Sequence, residues 1–79
     1  MGRYYFDLRD SDGIAVDEEG LELGDIEAVQ EEAARSLADA ARDTLRRSDG
    51  ALSRMAVEVR TAAGPLMHVR FSFEIDRKN

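Results

Sequence analysis

The side chains of this chain that could do chemistry are one histidine, scattered carboxylates and a set of arginines, with no cysteine. Without cysteine there are no disulfides, no thiolate catalysis and no cysteine-based zinc or iron–sulfur sites. His68 lies on the polar side of an alternating segment. A general base needs a positioned partner and a substrate pocket. We therefore interpret His68 as a solvated residue beside Arg70 and across from Glu58.

Carboxylates between residues 10 and 19 match part of the spacing of a calcium-binding loop. Asp10, Asp12, Gly13 and Glu19 fall at the third, fifth, sixth and twelfth positions of an EF-hand loop. The first ligand position is then Leu8, which cannot bind, and the flanking residues resemble strands rather than helices. The spacing predicts an acidic hairpin turn, and weak cation binding by this loop is the alternative.

The remaining carboxylates do not form a catalytic pair in the sequence. Asp17, Glu18 and Glu19 are consecutive, so we expect their side chains to diverge into solvent. The sequence has no nucleophile motif and no glycine-rich phosphate loop. We therefore predict a protein that is not an enzyme and that has no metal site and no cofactor.

Arginine, tyrosine and histidine recur on one predicted face of a sheet. Tyrosine and arginine are enriched at binding surfaces. The candidate interaction face consists of Arg3, Tyr5, Arg9, Arg60, His68 and Arg70. Asp7, Glu58, Glu74 and Asp76 share this face, and mixed charges are also typical of an ordinary solvated sheet. That solvated face is the alternative interpretation.

The elements that must position these side chains are four strands and one helix. Apolar residues alternate with polar ones in four segments, which predicts strands with one buried face. Turns are expected at residues 10–13 and 61–65. The rows expected to face inward are Tyr4, Phe6 and Leu8; Ile14 and Val16; Met55, Val57 and Val59; and Met67, Val69, Phe71, Phe73 and Ile75.

The helix follows a brief extended segment at residues 21–23. Asp25 is placed to cap it by accepting from the N–H of Glu27 or Ala28, and Gly50 is placed to end it. The expected inner stripe is Ile26, Val29, Ala33, Leu37, Ala40 and Thr44, widened by Ala41 and Leu45. The outer face carries Glu31, Arg35, Asp39 and Asp43, with expected ion pairs Glu31–Arg35 and Asp43–Arg47.

Together these elements predict an α+β fold with the order β-β-α-β-β, in which one helix packs on one face of an antiparallel sheet. The 79 residues form a single domain, residues 1–79. A chain of this size buries only about 60% of its unfolded surface. Its stability should be marginal, and oligomerisation is the expected support, so we predict a homodimer.

Charge and hydropathy exclude several classes of partner. The net charge is −6, from 17 acidic and 11 basic residues. Binding to nucleic acid requires a concentrated basic surface, and none is visible. No apolar run approaches the about 20 residues that span a bilayer, so we expect no membrane partner. The lack of cysteine in so small a domain favours the reducing cytoplasm.

The segments Arg3–Asp7, Asp17–Gly20 and Asp25–Ala28 form a combination that resembles a family of short uncharacterised alphaproteobacterial proteins, described as a domain of unknown function. The Arg-Tyr-aromatic-Phe-Asp opening and the Asp-x-x-Gly step carry the resemblance. It implies a cytoplasmic protein of similar length and supplies no catalytic residues.

A looser resemblance is to the HicB-type antitoxin domain. The Asp10–Gly13 turn and the Glu31-Glu32-Ala33 run in the helix match its layout. This resemblance implies an antitoxin that neutralises a basic toxin partner. Our leading hypothesis is a small non-enzymatic protein-interaction or regulatory module with an unidentified protein partner, and the HicB-like antitoxin is the alternative.

Overall fold

The computed structural model describes residues 2–47, 53–74 and 78. Within these ranges the chain forms one helix and one five-stranded antiparallel sheet, which confirms the α+β class. The elements are β1 (Gly2–Asp10), β2 (Gly13–Ala15), β3 (Leu21–Leu23), α1 (Ile26–Arg47), β4 (Ser53–Thr61) and β5 (Gly64–Phe73). The strand order is β2-β1-β4-β5, and β3 also pairs with β1. The extended segment before the helix is therefore a strand of the sheet.

The first hairpin forms where the Asp-Ser-Asp-Gly run predicts it, but the side chains of its second strand lie on the faces opposite to those predicted. Gly13 has φ of 135°, which favours glycine. The register pairs Arg9 with Ile14 and Leu8 with Ala15. Residues directly opposite in a ladder share a face, so Ile14 lies on the face away from the helix. The prediction that Ile14 and Val16 face inward is wrong, and both side chains are exposed.

Two short strands, β2 and β3, pair antiparallel with the two ends of β1 and run in the same direction along it. In β3, Leu21 lies opposite Tyr4, and Leu23, opposite Gly2, packs on the edge of the core. Between the two strands, residues 16–20 leave the ladder. This excursion places Asp17 against the middle of β1.

The helix begins as its capping residue predicts. The Asp25 carboxylate accepts from the Ala28 N–H at 2.8 Å, and the Asp25 carbonyl accepts from the Val29 N–H at 3.2 Å. The first of these bonds satisfies an N–H group that the first turn leaves without an intrahelical partner, and the second is the first backbone bond of the helix. The residue expected to end the helix, Gly50, lies outside the described residues.

The inner stripe of α1 is confirmed in its centre and wrong at its ends. Val29, Ala33, Leu37 and Ala41 are buried. Ile26 and Leu45, at the two ends of the helix, remain exposed.

The outer face of α1 carries the expected charges. Arg47 pairs with Asp43 at 3.2 Å, as predicted. Arg35 pairs with Glu32 at 3.5 Å and not with the predicted Glu31. Both arrangements are helical neighbours on an exposed surface, where each pair contributes about 0.2–0.5 kcal/mol.

The β4–β5 hairpin forms one side of the sheet, and its inner strand, β4, supplies buried apolar side chains. Met55, Val57 and Val59 are buried as predicted, and Leu37 belongs to the same core cluster. Partly buried side chains that pack on this cluster include Tyr4, Phe6, Leu8, Met67, Val69 and Phe71. The register shifts between Val59 and Arg60. The expected inward residue Ile75 and the outward residue Asp76 lie outside the described residues.

Candidate functional site

The helix covers one face of the sheet, and the opposite face, the open face, carries all six residues of the candidate interaction face. The ladders place Tyr5 opposite Arg60, and Arg70 opposite Ala56. His68 is exposed and lies opposite Glu58, as expected. This shared face is where sequence periodicity put the six side chains, and their role in binding stays a prediction.

Asp7 is the buried charged residue of the described chain, at 6% exposure. Its carboxylate accepts from Arg60 Nε at 2.9 Å and from Arg60 Nη2 at 3.4 Å. It also accepts from the Asp17 N–H at 2.9 Å. Sequence reasoning placed Asp7 on a solvated face, but burial of a carboxylate requires this full set of partners.

Asp17 closes the excursion of residues 16–20 against β1. Its carboxylate accepts from the N–H groups of Phe6, Glu19 and Gly20, each at 3.1 Å. Its carbonyl accepts from Arg60 Nη2 at 2.9 Å. The prediction that the side chain of Asp17 is solvated is therefore wrong. We call Asp7, Asp17 and Arg60 the Asp7 network.

Three neighbouring residues fit around the Asp7 network. The Arg60 guanidinium lies 4.6 Å from the centre of the Tyr5 ring, a cation–π distance. Arg3 donates to the Glu19 carbonyl at 2.7 Å. Gly20 has φ of 74°, and a Cβ there would lie 2.9 Å from side-chain atoms of both Arg3 and Tyr5. A glycine is therefore needed at the corner where residues 16–20 return to the sheet.

The electrostatics of the Asp7 network keep both carboxylates ionised. Burial raises the pKa of Asp7, but the Arg60 and Asp17 hydrogen bonds and the Arg60 charge outweigh it, so the pKa lies below its ordinary value. Burial likewise raises the pKa of Asp17, and the N–H groups of Phe6, Gly20 and Glu19 bring it below the ordinary value. The Asp7 hydrogen bond raises the pKa of Arg60. A carboxylate held in this way stabilises the fold and is poorly suited to accept a proton from a substrate.

A groove of about 640 Å³ lies at the other end of the open face. Ala56 forms its floor, because a methyl group stands there between longer side chains on the neighbouring strands. Three arginines line it, Arg9, Arg54 and Arg70, together with Asp10, Ser11, Met55, Phe71 and Ser72. We call it the arginine groove.

The three arginines of the groove differ in their partners. Arg9 is already engaged, since its Nε donates to Glu58 at 2.8 Å, and this bond raises the pKa of Arg9. Within the described ranges, Arg54 and Arg70 have no carboxylate partner and both are exposed. Sequence reasoning missed Arg54. The signal was its position two residues before Ala56, which puts it on the same face of β4.

The acidic residues that partly match a calcium-binding loop begin with a hairpin turn in the structure. The Asp10 carboxylate accepts from the Asp12 N–H at 2.8 Å, as expected for an acidic turn. In the described part of the chain, no three acidic or histidine side chains are grouped so as to hold a metal ion. Across the same ranges, no helix combines the length and the apolar character that crossing a membrane requires.

Comparison with known proteins supplies one match. The family model described as "Domain of unknown function (DUF6894)" matches residues 3–72, and the chain therefore belongs to this family. No curated protein matches the chain. No solved structure matches it either.

The motifs that carry the family resemblance coincide with the Asp7 network. The Arg-Tyr-aromatic-Phe-Asp opening contributes Arg3, Tyr5 and Asp7, and the Asp-x-x-Gly step contributes Asp17 and Gly20. These residues bond or pack against one another at one edge of the sheet. Their arrangement shows a structural role, whereas the arginine groove lies away from them.

Proposed function

We propose that this protein is a small, non-enzymatic protein-interaction module of the cytoplasm that binds an acidic segment of a partner protein in the arginine groove. The observation that carries the proposal is the groove itself, in which the exposed Arg54 and Arg70 have no carboxylate partner within the described ranges. Guanidinium groups present fixed donors that suit carboxylates. A partner carboxylate over Ala56 would bond to both.

The rest of the open face supports the same location. Arg60 is held by Asp7 at 2.9 Å, and Arg3 is held by the Glu19 carbonyl and by Glu22 at 3.4 Å. Arginines engaged in this way offer less to a partner, so the binding surface contracts from the six predicted residues to the groove end. From the predicted set, Arg70 remains without a carboxylate partner in the described ranges, and Arg54 joins it. Arg9 lines the groove while bonded to Glu58.

The HicB-like antitoxin is the second candidate, and a different surface favours it. Residues 17–27 contain six acidic residues and no lysine or arginine. Glu18, Glu22, Asp25 and Glu27 are exposed there. A basic toxin would be attracted to this acidic segment rather than to the arginine groove. The two candidates therefore require partners of opposite charge.

Binding of two labelled peptides separates the candidates. We expect poly-glutamate, followed by fluorescence anisotropy at about 150 mM salt, to bind the full chain, and poly-lysine to bind less tightly. Arg54→Gln should weaken poly-glutamate binding about three- to fivefold, the range of one exposed ion pair.

Arg46→Gln is the matched control, because Arg46 is an exposed arginine in the last turn of α1. It changes the net charge by the same amount and should leave poly-glutamate affinity unchanged. Equal weakening by Arg46→Gln and Arg54→Gln would show non-specific attraction and would overturn the proposal. Preferred binding of poly-lysine would favour the antitoxin instead.

A further inference from the structure

The outer edge of β5 is a continuous strand without a neighbour in the described part of the chain. Its one proline, Pro65, stands at the start, and the register shift lies beside it. From residue 67 to residue 73 the strand alternates without interruption and points no charge toward the helix. Proteins usually blunt such an edge with a proline, a bulge or charged side chains. Residues 67–73 contain no proline and no bulge, and their one arginine, Arg70, lies on the open face.

The side of β5 that faces the helix is only half covered. Met67, Val69, Phe71 and Phe73 are all partly exposed. The residues of β4 opposite the first three, Val59, Val57 and Met55, are buried. The Phe71 and Phe73 rings contact each other with centroids 5.8 Å apart. A second strand along this edge would bring further apolar side chains against them and remove apolar surface from water.

A second copy of the chain fits this edge under a simple constraint. A twofold axis perpendicular to the sheet keeps both helices on one face, so each residue must pair with one of the same face. The axis must then pass through a residue of β5. With the axis at Ser72, Arg70 lies opposite Glu74 of the second copy, and Phe71 lies opposite its Phe73.

Charge distinguishes this register from its neighbours. An axis at Arg70 would place the two Arg70 side chains directly opposite each other. An axis at Val69 would place Arg70 opposite His68, and an axis at Phe71 would place it opposite Ser72, so neither makes an Arg–Glu pair. Like charges opposite each other on a sheet are destabilising, and opposite charges are stabilising. The axis at Ser72 makes two Arg–Glu pairs, and both Arg70 and Glu74 are exposed and available for them.

We propose that the chain forms a symmetric dimer by antiparallel pairing of β5 with β5 of a second copy. Arg70 then lies opposite Glu74, the residue that directly follows β5, across the interface. The dimer has one ten-stranded sheet with both helices on the same face, and the Phe71 and Phe73 side chains of the two copies meet between those helices. The dimer and the proposed function share Arg70, which lines the arginine groove. Arg54 takes no part in the pairing, so Arg54→Gln tests the groove without changing the dimer interface.

Sedimentation equilibrium of the full chain over a dilution series tests the dimer and its register together. We expect a dimer at about 100 μM, where a specific interface of moderate size is populated. Arg70→Glu and Glu74→Arg each replace two attractive pairs with two repulsive ones, and each should raise the dissociation constant about tenfold or more. The double variant R70E/E74R should restore dimerisation.

The controls separate the register from general effects of charge. Arg46→Glu and Glu31→Arg make the same charge changes on exposed positions of α1 and should leave the dissociation constant unchanged. Arg54→Gln, which tests the arginine groove, should also leave it unchanged. A mass of one chain at every concentration would overturn the dimer. A dimer that the single variants do not weaken, or that R70E/E74R does not restore, would overturn the register.

Discussion

The two edges of the sheet are built in opposite ways. At one end of the strand order, β2 is three residues long, and the chain then leaves the ladder at residues 16–20, where Asp17 accepts the Phe6 N–H in place of a strand carbonyl. At the other end, β5 is ten residues long and regular from residue 67 to residue 73. We call these the Asp17 edge and the β5 edge.

The difference shows two solutions to the same physical problem. A backbone N–H at a sheet edge needs a hydrogen-bond acceptor, which can come from a side chain, from water or from another strand. At the Asp17 edge the N–H groups of Phe6, Asp17, Glu19 and Gly20 are bonded to carboxylates of the chain. The irregular path of residues 16–20 is also unfavourable for pairing with another strand. The β5 edge has no such device among the described residues, and it is the edge that the proposed dimer uses.

The largest expected effect on stability comes from the core that lies between the two edges. Leu37 is buried beneath the sheet in the core cluster, and Leu37→Ala should lower the free energy of unfolding by about 2–5 kcal/mol. Both edges depend on this core, so amide hydrogen exchange should accelerate equally in β1 and β5. Urea denaturation and exchange measured by NMR check this. Faster exchange at one edge alone would show that the two edges do not unfold together.

A smaller effect should be confined to the Asp17 edge. Asp17→Ala leaves the N–H groups of Phe6, Glu19 and Gly20 without their acceptor and should cost about 1–3 kcal/mol. Exchange of the Phe6 amide should accelerate more than exchange of the β5 amides. Asp43→Ala, at an exposed helical carboxylate, is the control and should change stability by less than about 0.5 kcal/mol. Uniform acceleration in β1 and β5 would contradict the local role.

The smallest effect is in the response to acid. The pKa values of Asp7 and Asp17 are lower in the folded chain than their ordinary value of 3.8. The unfolded chain therefore binds protons first as the pH falls. Their stabilisation is fully present above about pH 5 and is lost below about pH 4, toward the folded pKa values.

The variant Asp7→Asn removes one of these titrations. Its free energy of unfolding, measured by urea titration at a series of pH values, should fall less steeply below about pH 4 than that of the unmodified chain. Asp39→Asn, on the exposed face of α1, should keep the original slope. An unchanged slope in Asp7→Asn would show that acid acts on the Asp17 edge through other groups.

Local patterns in the sequence predict most of the elements correctly. These are the alternation in β1, β4 and β5, the Asp25 cap and the centre of the helical stripe. Each depends on neighbours within a few residues, so it can be predicted without knowledge of the fold. The prediction for Ile14 was wrong because the length of the turn decides which face of the sheet this side chain lies on. Two residues between Asp10 and Gly13 force Ile14 opposite Arg9, whatever its hydrophobicity.

The Asp7 network was harder to predict because its partners are distant in sequence. Arg60 is 53 residues from Asp7, and no periodicity connects them. Asp17 did carry a local signal, since an Asp followed by Gly three residues later is typical of a side-chain-capped turn. That signal predicts the bonds to Glu19 and Gly20 but not the bond to Phe6, which depends on the sheet.

The left-handed corner at Gly20 bears on how members of this family are recognised. A motif that includes Asp17, Gly20 and the Arg3–Asp7 opening selects chains able to build this sheet edge, because each of those residues meets a steric or hydrogen-bonding need there. It includes neither Arg54 nor Arg70, so it does not select for the arginine groove. Two chains that share the motif are therefore expected to share this architecture, but they can differ in their partners. Whether a relative also has the proposed groove would have to be judged from the residues at the positions of Arg54 and Arg70.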